Sequence, residues 1–173
     1  MRARLKFPLL WLTALCAAPF FTSAHAHAQG RAPRFRDYPV KEIYRGRPAP
    51  VRLTRDDRAF RTRLRAAARQ RPNFAGRYVL TTWGCGTGCQ LGAAVDLRTG
   101  RVHWLPHSLC CWPYGEPPYP LPVTFRLDSR LIALAGARGE TETEDGEVGV
   151  HFYEFRGGRF RYLRTVPVEE HYR

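Results

Sequence analysis

The sequence predicts an α+β fold: a single curved antiparallel β-meander of six to seven strands, or a small open barrel, carrying one N-terminal amphipathic helix and stabilised by disulfides. Three observations predict it. Phe60, Leu64, Ala67 and Ala68 recur at helical spacing and make one apolar stripe. After Pro72 the pattern changes to short β-branched and aromatic runs separated by Gly-, Asp- and Ser-containing turns. Four of the five cysteines lie beyond residue 28, an even number that suits disulfide pairing.

Residues 1–28 read as a secretory signal peptide. Arg2, Arg4 and Lys6 supply the positive start, Phe7 to Phe21 the apolar stretch, and Ala26-His27-Ala28 the cleavage pattern, so the mature chain is expected to begin at Gln29. The apolar stretch is too short and wrongly flanked for a membrane span. Its removal leaves 25 basic and 15 acidic residues, a net +10 in place of the +13 of all 173 residues. An exported protein works in an oxidising compartment, periplasmic or external, and does not ordinarily meet nucleic acid. The charge is uneven. Residues 29–82 carry a net +11 and residues 83–173 a net −1.

Residues 29–53 form a basic N-terminal arm, with 54–173 as the α+β domain. Within the arm, Tyr38 to Tyr44 and Pro50 to Leu53 read as short extended pieces broken by Gly46, Pro48 and Pro50. The helix begins with Thr54 as N-cap and Asp56 and Asp57 in its first turn, and ends near Gln70, before Pro72. Arg58, Arg65 and Arg69 fall opposite the apolar stripe. They form a candidate anion-binding ridge, set against the plain alternatives of a solvated face and an arginine-rich composition.

The strands follow at 77–84, 90–97, 102–105, 123–127, 131–135, 148–155 and 160–166, with a Pro-rich loop over 106–122. Short turns between most of them make a meander the simplest topology. A propeller of four blades would need about 160 residues, and only 91 follow Thr82. The glycines of Trp83-Gly84-Cys85-Gly86-Thr87-Gly88-Cys89 predict a tight turn. In a meander that turn and the loop after Leu105 share one end of the sheet, so Cys85, Cys89, Cys110 and Cys111 converge there. The pairing stays open. Cys85–Cys110 with Cys89–Cys111, the swapped pairs, or Cys85–Cys89 with a vicinal Cys110–Cys111 bond are all possible pairings.

The same end would gather Trp83, Thr87, His107, Trp112 and Tyr114, the candidate ligand-binding residues. Aromatic side chains stiffened by prolines suit a sugar ring or a peptide, and they equally suit a cover over the disulfides. The sequence carries no hydrolase, phosphate-loop or metal motif, and neither metal nor cofactor is expected. Glu140, Glu142, Glu144, Asp145 and Glu147 do not follow the spacing of a calcium loop.

Asn73-Phe74-Ala75-Gly76-x-Tyr78, the run Trp83 to Cys89, and Asp96 with Thr99-Gly100 together resemble a group of small secreted bacterial proteins of unknown function. The resemblance covers about residues 72–105 and the signal peptide. It implies export and brings no activity with it, and the Cys110-Cys111 pair is not part of that pattern. The expected function is therefore an exported, non-catalytic binding or inhibitor-type protein, whose partner is an anionic envelope component or a secreted protein. The alternative is an enzyme, redox or metal protein using the cysteine end.

Overall fold

The computed structural model describes residues 31–110, 121–138 and 147–167. Helix α1 spans Arg61–Ala67. The strands are β1 (Tyr78–Gly86), β2 (Cys89–Asp96), β3 (Val102–Trp104), β4 (Leu109–Cys110), β5 (Val123–Phe125), β6 (Leu131–Arg138), β7 (Glu147–Arg156) and β8 (Arg159–Val166). Among the described residues they form one antiparallel sheet in the order β1-β2-β4-β6-β7-β8, with β3 beside β2 and β5 beside β6. The α+β meander is borne out, and the sheet is open. Among the described residues no helix is long and apolar enough to cross a membrane.

Two predicted elements differ. The Pro-rich loop opens with a strand: β4 continues β3 along β2 after a slip of two residues. Ala93 faces Trp104, while Gln90 faces Leu109 and Cys89 faces Cys110. Cys110 also pairs with Ala137, so β4 bridges the two halves of the sheet. The helix is shorter than its apolar stripe suggested, because Asp56–Phe60 is a 3₁₀ turn. Asp57 folds back to accept hydrogen bonds from the Thr54 amide (2.7 Å) and hydroxyl (2.8 Å). Its other oxygen accepts the Trp104 indole N–H at 2.9 Å. This reciprocal cap keeps the first turn tight and ties it to β3.

Both faces of the sheet are covered. On one face, Leu64 and Ala67 of the helix pack on Val79, Trp83, Ala93 and Val95, and further along Phe35 and Tyr38 of the arm pack on Phe152 and Val166. On the other face the sheet curls around Phe74, which is fully buried with Leu80, Ile132 and Phe155. The curl is strong. β1 and β7 are four positions apart in the sheet, about 19 Å if it were flat. Yet the Tyr78 and Phe155 rings meet edge to face at 4.7 Å between centroids.

The motif Asn73-Phe74-Ala75-Gly76 enters β1 and explains itself structurally. The Asn73 amide exchanges two hydrogen bonds with the Leu80 backbone, and Phe74 plugs the curl. Ala75 and Gly76 both take positive φ, 44° and 78°. A Cβ on Gly76 would collide with the Glu42 carbonyl of the arm. The arm itself is bound through its backbone. The amides of Val40, Tyr44, Ala49 and Arg52 donate to carbonyls of Asp128, Gly76, Leu97 and Gly100. It therefore runs across one end of the sheet, over the turns, opposite the cysteine end.

Candidate functional site

The cysteine end holds a single-hairpin disulfide rather than a clamp between loop and hairpin. Cys85 and Cys89 are bonded to each other with their Cα atoms 5.2 Å apart. Both cross-paired arrangements are thereby excluded. The reason is local. The Gly-rich run is absorbed as a bulge at Cys85 and a two-residue turn at Thr87-Gly88, which sets the two cysteines across one hairpin. Cys110 lies beside Cys89 in the ladder, as the topology argument required. Cys111, Trp112, Tyr114 and the acidic run from Glu140 to Asp145 lie outside the described residues.

The other candidate ligand-binding residues are not brought together. Trp83 is only 6% exposed, beneath the helix and flanked by Phe60 and Trp104. Thr87 is exposed at the hairpin tip. His107 is on the opposite face from Trp83. There its Nδ1–H donates to the Ser108 carbonyl (2.9 Å) and its Nε2 accepts from the Tyr153 hydroxyl (3.1 Å). Burial, with some help from His151 and Arg138, holds its pKa below the usual histidine value despite the Ser108 bond. Next to it, His151 is fully buried, with Nε2–H on the Gly136 carbonyl and Nδ1 accepting from Thr165. That hydroxyl in turn takes a bond from Tyr162. Both ring nitrogens of His107 and of His151 therefore have partners, as in a satisfied core network. His151, Tyr153 and Thr165 were legible only as strand residues.

Of the candidate anion ridge, Arg65 and Arg69 line one groove together with Arg47. Arg58 does not join them, because it sits in the 3₁₀ turn rather than in the helix.

A recess lies at the seam of the curl, where β1 comes closest to β7 beneath the arm. It encloses about 460 Å³ and is walled by Tyr44, Tyr78 and Phe155. Five cations line it: Lys41, Arg77, Arg98, Arg130 and Arg156. Glu42 is the one acidic side chain in its wall. Arg77 is held by Asp96 (3.2 Å) and Arg130 by Glu154 (3.1 Å). Lys41, Arg98 and Arg156 are exposed, and neither of these two ion pairs, the ones found among the described residues, involves them. The sheet topology gathers these cations. Arg98, Arg130 and Arg156 each stand at a turn, and alternate turns of a meander fall at the same end. The sequence showed each turn, and the reasoning that placed the cysteines together would have placed these arginines together at the other end.

Such a site can attract and orient anions with three unneutralised cations, while two ion-paired arginines keep the frame rigid. It presents no nucleophile with an adjacent base. Among the described residues, no group of three or more His, Cys, Asp or Glu is placed to hold a metal ion. Fold and site together define a disulfide-bearing α+β domain with a basic cleft at its seam. The chain matches no family model, no curated protein and no solved structure.

Proposed function

We propose that this chain is an exported, non-catalytic binding domain whose ligand is anionic and sits in the basic cleft under the arm. The observation that carries the reading is the convergence of Lys41, Arg77, Arg98, Arg130 and Arg156 on one recess with a single acid in its wall. Two of these come from the strongly basic part of the chain and three from the part whose net charge is −1, so composition alone does not account for their convergence. The signal-peptide pattern supports export and directs attention to an envelope component. The satisfied histidine network and the bonded Cys85–Cys89 pair favour binding over catalysis.

Two measurements test this. Thermal unfolding in citrate or phosphate should show a rise in Tm over chloride at matched ionic strength, since a ligand of the native state stabilises by about 2.7 kcal/mol at a hundredfold excess over Kd. The double variant Arg98→Glu/Arg156→Glu should lose that rise. No rise in the wild type, or an equal rise in the variant, would overturn the assignment. Export is tested by fractionating cells that express the full chain. A cytosolic product that retains Met1 would refute it, and a mature product beginning at Gln29 is expected.

A further inference from the structure

The basic cleft is not isolated. It shares Lys41 and Tyr44 with a second recess, which also reaches Arg45 and holds Asp128. The second shares Ile43, Tyr44, Arg45 and Gly46 with a third, to which Arg69 and Arg71 are added. The third shares Pro48 and Arg69 with a fourth, the groove of Arg47 and Arg65. Four adjoining recesses therefore follow the arm from Val40 to Val51. Across all of them Glu42 and Asp128 are the acids, against ten cations. Backbone hydrogen bonds at Val40, Tyr44, Ala49 and Arg52 fix the arm along this path.

We infer that the anionic ligand is an extended acidic polysaccharide, lying along the arm from the seam cleft to the groove of Arg65 and Arg69. This rests on the anion-binding reading above and adds the polymer. A compact anion needs one recess, whereas cations recurring along a row suit repeated charges at intervals along a strand: three of the recesses are basic, and in the second Lys41 and Arg45 are balanced by Glu42 and Asp128. The recessed path does not suit the flat face of a bilayer. Tyr44, half-buried and lining three of the four recesses, offers a ring against which a sugar can lie. The predicted secretory leader directs the choice toward a glycan and away from nucleic acid.

Fluorescence anisotropy with end-labelled oligogalacturonates tests the inference. Chains of about fifteen units should bind at least ~30-fold more tightly than chains of about three, because linked contacts raise affinity without any new kind of contact. Arg65→Glu/Arg69→Glu should weaken the long chain about tenfold and leave the short chain unchanged, whereas Arg98→Glu/Arg156→Glu should weaken both. If the short chain binds through Arg98 and Arg156 and the long chain gains nothing, the polymer inference fails and the cleft reading stands. The same holds if citrate and phosphate raise Tm but neither oligosaccharide binds. If no anion binds at all, both fail. Tighter capture by vesicles of anionic phospholipid, or by a single-stranded oligonucleotide of equal charge, would also overturn the polysaccharide.

Discussion

At the scale of single residues, Asp57 shows how a local signal becomes a tertiary one. Its place in the first turn was evident from the Thr54 cap. Its bond to Trp104, forty-seven positions away, was not, because nothing in the sequence tells which side chain the sheet will present to a capping carboxylate. Burial alone would raise its pKa. The donors on Thr54 and Trp104 outweigh burial and hold the carboxyl below its ordinary value. A carboxyl lowered by folding stabilises the native state above the usual carboxylate pKa, and that contribution is lost as pH falls through the lowered value. Trp104→Phe should therefore cost about 2 kcal/mol at neutral pH, beyond what the smaller ring costs. Trp83→Phe is the size control, since the Trp83 indole N–H meets no acceptor among the described residues. Denaturant unfolding of both variants should show a gap at pH 7 that narrows below about pH 4. A gap that does not depend on pH would show that Asp57 is not held through Trp104.

At the scale of elements, seven predicted strands appear close to their expected bounds, because alternation and turn residues are local. β4 was missed because its two residues meet β2 only after a slip, with Cys110 alone also reaching β6, and no short-range pattern marks a slip. The cysteine pairing was illegible for a related reason. The bulge at Cys85 decides which thiols face each other, and three glycines at alternate positions predict irregularity without its register. The bond that results closes a short loop inside one hairpin. In the chain-entropy model it contributes about 2 kcal/mol, less than a link to the β4 loop would. Cys85→Ser/Cys89→Ser should then lower stability by about that amount while keeping the aromatic bands of the folded protein's near-ultraviolet circular dichroism. Loss of those bands would mean that the hairpin depends on the bond to form at all. Glycine 100 is a stricter site. It has φ 73°, and a Cβ there would run into the Pro50 carbonyl of the arm.

At the scale of the whole molecule, the charge asymmetry along the sequence pointed toward the N-terminal part, and the arm does run through every basic recess. The other wall of the seam cleft comes from turns far apart in sequence that the curl brings under the arm, whereas the groove at the far end of the arm is closed by Arg65, Ala68 and Arg69 of the helix and its C-terminal end. The arm also does structural work. It covers Phe152 and Val166 with Phe35 and Tyr38, and Tyr44, Val51 and Leu53 pack beside the helix cluster. Removing it would expose that apolar surface and strip partners from the Gly76, Leu97, Gly100 and Asp128 carbonyls. Native stability is only about 5–15 kcal/mol for a domain, and several lost hydrogen bonds at roughly 1 kcal/mol each, with two or three uncovered aromatic side chains, consume most of it. A chain starting at Ala32 should unfold cooperatively within a few degrees of one starting at Gln29, since among the described residues Ala32 is the first that packs on the core. A chain starting at Thr54 should fail to show a cooperative transition, or should melt far lower, when followed by circular dichroism. Were it to melt like the longer chain, the arm would be an appendage, the recesses along it would not be a built surface, and the reading of the polyanion track would lose its rigid wall.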